Sequence, residues 1–374
     1  MYMMKLSCPS FKAIFIISFS LIFNIHAFSQ DWTPVFVDRD EEFTNYWEVP
    51  YSLATDNEDL FVSIAPIMSN RRLVVKKFDQ TSSKWINLGG SSISDGEVIF
   101  SYLTFNKGTP YVIYGDAANE QKVTVKFLDK KTKSWITLGN PSFAEGGSAL
   151  KLVFDNKDIF ALVDGLLTKF NPQKNIWEDQ GEKFTGAGCS VKGICYGYFN
   201  KTHYIAAQTG CNLETEVRKM DTGSGKWVRL GKWYASEGMS NQLSSTMIDS
   251  IPYIFFEDFS FAGKGTVRKY RTDGSGWENV GKRGFSSGIA FYNSITVRNN
   301  VLYAAYWEGG QNGRLTVRKF DTLNNTWIYV GRRNVSDSKI VNPAQMVFIG
   351  NMMYISYFEK SSKAIFNLKK IELK

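Results

Sequence analysis

The stretch VRKFDTLNNTWIYVG, Val317 to Gly331, decides the fold of this 374-residue chain. It reads as two short strands around a polar turn, closed by a Trp and a Gly. Related stretches occur as KWINLGG at Trp85, SWITLGN at Trp135 and IWEDQGE at Trp177, then KWVRLGK at Trp227 and GWENVGK at Trp277. Successive Trp residues lie 50, 42, 50, 50 and 50 positions apart. Seven positions before each Trp stands a large apolar residue: Phe78, Leu128, Phe170, Met220, Tyr270 and Phe320. Upstream of it runs a V-[KR]-K-like strand such as Val267-Arg268-Lys269.

A second register has the same period. Aromatic-led strands begin at Phe61, Tyr111, Phe160, Tyr204, Tyr253, Tyr303 and Tyr354. Polar turns such as Asn106-Lys107-Gly108 precede most of them, and an apolar strand precedes each turn. Each unit is therefore four short antiparallel strands. Such units repeating every ~40–50 residues predict an all-β, seven-bladed β-propeller. The ends predict how the ring closes. The last unit stops at its third strand, Phe366 to Lys374, whereas DWTPVF at Asp31 to Phe36 is a fourth strand without the first three. The N-terminal strand is expected to complete the C-terminal blade and remove its free edge.

These residues resemble kelch-type and galactose-oxidase-type propellers, which share the aromatic-x6-Trp spacing. They look still more like the W-x-x-V-G propeller repeats of secreted bacterial proteins. The paired glycines that end kelch second strands are approximated only at Gly309-Gly310. The resemblance implies that the loops joining strands 2 and 3, and those joining strand 4 to the next strand 1, share one face. It also implies that ligands bind on that face near the central channel.

Residues 1–29 read as a cleaved secretory signal. Lys5 and Lys12 precede an apolar run from Ala13 to Phe23, and Ala27-Phe28-Ser29 offers small residues at a cleavage site. That run is shorter than the ~20 residues a spanning helix needs. Cys8 lies before it, where a lipid-attachment Cys would follow, so a lipoprotein is not expected. Residues 30–374 are expected to be one propeller, secreted, periplasmic or at the cell surface, monomeric, and without a membrane span.

The chain carries a formal net charge of +8. The basic pairs of the third strands (Lys76-Lys77, Arg218-Lys219, Arg268-Lys269, Arg318-Lys319, Lys369-Lys370) recur by blade. They form no single stripe for a phosphate backbone, so nucleic-acid binding is not expected. Their stems are expected to cover neighbouring strands while their heads reach water.

His203, read as lying in a turn between first and second strands, is the one His after the signal. This argues against a histidine-ligated copper or zinc centre and a Ser-His-Asp triad. No cofactor is expected. The acidic run Asp38 to Glu42 offers carboxylates to Ca²⁺ but lacks a complete loop motif. In an oxidising compartment Cys189 and Cys211 are expected to pair, leaving Cys195 free on an inner strand.

Several second strands end in an acid: Asp116, Asp164, Asp258, Glu308 and Glu359. The loops after the Trp strands repeat a φ-S-[DE]-G-like turn at Ile93, Phe143, Ala235 and Val335. Residues that recur in most blades generally hold turns; gathered on one rim, these acids would also attract cationic groups. Non-repeating aromatics and cations bear more directly on ligands: Trp233, Tyr234, Trp307, Phe259, Phe261, Trp47 and Arg332-Arg333. The candidate binding set is Asp116, Asp258, Glu308, Glu359, Trp307, Trp233 and Tyr234. The expected function is non-enzymatic recognition of a glycan or protein through the loop face. The rival readings are an extracellular carbohydrate-active enzyme using rim carboxylates, and a cell-envelope structural component.

Overall fold

The computed structural model describes residues 31–37, 50–147, 149–185, 191–209 and 212–373. The proposed signal, the acidic run 38–42, Trp47 and the Cys189–Cys211 pairing lie outside the described residues.

Seven four-stranded antiparallel sheets form a ring. Blades 1 to 6 span residues 51–87, 98–137, 150–179, 192–229, 240–279 and 290–329, with strands in chain order from the axis outward. Blade 7 takes its inner three strands, Gln345–Ile349, Met352–Lys360 and Ala364–Glu372, from the C-terminal part. Its outer strand is Thr33–Val37, which pairs antiparallel with Ala364–Glu372 in the register Thr33↔Lys370 to Val37↔Asn367. The expected closure is the one observed.

The aromatic-x6-Trp spacing has a simple origin. In every complete outer hairpin the two residues stand directly opposite each other, as Phe78↔Trp85, Leu128↔Trp135, Phe170↔Trp177, Met220↔Trp227, Tyr270↔Trp277 and Phe320↔Trp327. Cross-strand aromatic pairs of this kind stabilise a hairpin by a fraction of a kcal/mol to about 1 kcal/mol. The Trp also joins blades. Trp135 Nε1 donates to Leu88 O at 2.8 Å, Trp177 to Leu138 O at 2.9 Å and Trp327 to Val280 O at 2.8 Å. Trp32 does the same to Val330 O at 2.9 Å, so the final latch is built from the N-terminal strand.

Each acceptor immediately precedes the Gly of the W-x-x-φ-G motif. At Gly89 and Gly139 the backbone has φ +78° and +77°. A Cβ there would sit 2.6 Å from Trp135 Nε1 and 2.8 Å from Trp177 Cδ1, respectively. Positive φ and the next blade's indole both require glycine at these positions.

The third-strand basic pairs depart from expectation. The first member of four pairs is buried: Lys76, Arg268, Arg318 and Lys369. Arg268 Nη1 donates to Ala235 O at 2.9 Å, Arg318 Nη1 to Phe285 O at 3.2 Å and Lys369 Nζ to Val335 O at 2.8 Å. Lys126 plays the same part toward Ile93 O at 2.8 Å. These cations tie blades 2, 5, 6 and 7 to the loops before them. Burial is tolerable because the charge meets a fixed carbonyl dipole instead of a bare apolar wall.

His203 is likewise not in a turn. It lies just inside the strand Thr202–Thr209, buried among Phe160, Tyr196 and Tyr198.

Candidate functional site

The recurring rim residues form a set of fasteners. In the φ-S-[DE]-G turns, Ser94 Oγ accepts from Leu73 N and donates to Gly96 O, both at 2.8 Å. Ser236 and Ser336 repeat the arrangement. Ser286 adds a copy that the sequence pattern missed, because Ser287 stands where an acid was sought.

The strand-end acids work beside these serines. Asp116 accepts from the amides of Asp95, Gly96 and Ala118 at 3.0, 2.9 and 2.9 Å. Asp258 is held by Arg283 Nε at 2.7 Å and Thr266 Oγ1 at 3.1 Å. Glu308 accepts from Ser287 N, Ser287 Oγ and Thr316 Oγ1, each at 2.8 Å. Burial raises the Glu308 carboxyl's pKa. The bonds from Ser287 and Thr316, with the Arg318 charge, outweigh this and hold it below the usual range. Glu359 Oε1 accepts from Asp337 N at 2.7 Å. The four acids thus stand on four different blades, each bonded to its own loop.

The aromatic candidates are also dispersed. Trp233 is 67% exposed, and Tyr234 lies half-buried under Arg229, whose guanidinium is 4.6 Å from its ring centre. Trp307 is half-buried beneath Lys339 Nζ at 5.3 Å. Phe259 and Phe261 flank a 3₁₀ turn, and Arg332 pairs with Asp31 and Asp337.

A concave feature of the described residues lies on the axis. At the loop face, a cavity of about 620 Å³ is lined by Pro50, Arg71, Phe100, Leu150 and Asn342, among others. It shares Tyr51, Ser101, Tyr102 and Gln345 with a second cavity of about 510 Å³, which runs along the first strands. A side recess of about 260 Å³ shares Lys151 with that channel and holds Cys195, Tyr196, Ser244 and Ser245. Tyr102 lines all three, which together form one funnel.

The wall is fixed by bonds between neighbouring inner strands. Gln345 Oε1 accepts from Leu53 N at 2.7 Å while its Nε2 donates to Tyr51 O at 2.8 Å. Ser52 Oγ accepts from Leu103 N, and Ser244 Oγ from Ile295 N. Burial pushes the Tyr51 hydroxyl far above its ordinary pKa, so it stays protonated and donates to Pro343 O at 2.9 Å. Cys195 is a free, half-buried thiol whose Sγ donates to Leu243 O at 3.3 Å. Burial raises its pKa to about 11, so it stays neutral at neutral pH.

None of the funnel's lining residues belongs to the candidate set drawn from the sequence. The one sequence cue was Lys151, a cation near the start of an inner strand, Leu150–Asp155.

Fold and site together define a seven-bladed β-propeller with an axial funnel open on the loop face. No family model matches the chain, and no curated protein matches it. Among solved structures the chain is similar to one described as "Structure of YjhT", at 14% identity and a TM-score of 0.47. That similarity covers 77% of this chain and 98% of the other. Among the described residues no helix is long and apolar enough to cross a membrane.

Proposed function

We propose that this chain is an exported recognition propeller of the W-x-x-V-G type that binds a glycan in the axial funnel. The observation that carries the reading is the funnel itself: a concave wall in which Phe100 and Tyr102 stand beside Ser101, Asn342 and Gln345. Aromatic faces with convergent hydroxyl and amide groups suit the apolar face and hydroxyls of a sugar ring. The glycan is favoured over a protein partner because the site is a recess rather than a flat patch. The carboxylates of Asp116, Asp258 and Glu308 are each engaged with neighbouring loops, which favours recognition over a carboxylate-pair hydrolase.

Residues 30–374 are screened against a glycan array, and bound polymers are assayed for new reducing ends. The expected result is saturable binding without cleavage, weakened about tenfold by Tyr102→Ala through loss of one aromatic contact. Cleavage of a bound polymer would replace this reading with the enzyme. Binding unmoved by Tyr102→Ala would shift the site to the dispersed rim aromatics.

A further inference from the structure

Lys151 lies at the junction of the channel and its side recess. Its Nζ sits over the Tyr102 ring, 4.4 Å from the centre, a cation–π contact. No carboxylate of the described residues pairs with it, whereas Arg71 at the mouth of the funnel is paired with Glu97 at 2.9 Å. Neither the channel nor the recess is lined by an Asp or Glu among the described residues. The thiol of Cys195 in the same recess is neutral, so it offers no counter-charge. Hydroxyls of Ser101, Ser244 and Ser245 line the same walls. Apart from the paired Arg71 at its mouth, the funnel therefore carries one positive charge, several hydroxyls and an aromatic face already polarised by the ammonium.

We propose that the funnel selects a monoanionic ligand, a glycan bearing a carboxylate, with Lys151 as the residue that receives that group. This rests on the glycan reading above. A single ammonium neutralises a monoanion, whereas a phosphate dianion would bring an uncompensated charge into a narrow channel. Lys, unlike Arg, acts as a compact point charge that does not demand a bidentate partner. A ring placed against Tyr102 then has its charged substituent over the ammonium, so one contact orients the sugar and the other selects it.

The test is calorimetric titration of residues 30–374 with uronic-acid disaccharides and with their methyl esters, which differ only in the charge. The acid is expected to bind at least tenfold more tightly than the ester at low salt, since a charged hydrogen bond contributes that much. The preference should shrink as ionic strength rises. Lys151→Met should abolish the preference, bringing the acid and the ester to the same affinity, and Lys151→Arg should keep part of it. Salt dependence in the unaltered chain provides a readout that does not depend on the variants folding. Equal binding of acid and ester, or a preference that survives Lys151→Met, overturns the role of Lys151 and leaves the funnel reading standing. Absence of binding by either form, together with a negative glycan array, overturns both.

Discussion

His203 couples this fold to pH. Its imidazole is buried against three aromatic rings, and its Nδ1 meets the Tyr196 hydroxyl. Burial depresses its pKa to about 4, against an ordinary value near 6.5, with a smaller opposing pull from Asp155. The unfolded chain therefore binds the extra proton first as pH falls. The stability this group contributes is complete above about pH 6.5 and is lost progressively toward pH 4, by roughly 3 kcal/mol. Urea unfolding at pH 7, 6, 5 and 4.5 should show that slope, and His203→Phe should flatten it. Equal slopes would assign the acid sensitivity to other groups. At this scale the sequence was half legible. The aromatic-x6-Trp pairs and the glycine after the Trp could be read from spacing. The buried third-strand cations could not, because burial depends on a carbonyl 33 residues away in another loop.

The element that matters most is the five-residue strand Thr33–Val37. It supplies the outer strand of blade 7, and Trp32 beside it supplies the last inter-blade latch. Trp32 is buried against the neighbouring blade among Val330, Val335 and Ile371. Replacing it with Ala should cost about 3–5 kcal/mol, the range for truncating a large buried aromatic. A chain beginning after Val37 should lose more. It would expose the nine-residue strand Ala364–Glu372 as a free edge. Denaturant midpoints measure the first effect. Light scattering at micromolar concentration measures the second, with association expected for the truncated chain and not for the Trp32→Ala variant. A truncated chain that remains monodisperse and equally stable would show that the ring does not depend on this strand.

For the whole molecule, the ring closes by pairing between Thr33–Val37 and Ala364–Glu372. The register Thr33↔Lys370 brings Asp31 alongside Glu372. In a variant of residues 31–373 a short Gly/Ser linker can therefore join Leu373 to Asp31, and new ends can open in another outer hairpin, at the exposed turn residue Leu323. Such a permutant moves the seam from blade 7 to blade 6 without changing any blade. It should keep the same far-ultraviolet circular dichroism and a single unfolding transition within about 2 kcal/mol of the parent, since exposed turn tips tolerate new ends. Loss of the cooperative transition would mean that blade 7 must be assembled from both ends.

What the sequence determined by itself is the repeat: four strands per unit, seven units, and a split blade. These follow from local spacing. A hairpin places residues seven apart opposite each other whatever surrounds it, and copies of the pattern can be counted along one dimension. What only the tertiary structure decided is the funnel. Tyr51, Tyr102, Lys151 and Gln345 belong to blades 1, 2, 3 and 7 and share no motif. They meet because each lies on a first strand and ring closure turns all first strands toward one axis. The recurring acids Asp116, Asp258, Glu308 and Glu359 are bonded to the loops between blades, so these positions serve the scaffold. The unrepeated residues on the axis are the ones that line the funnel.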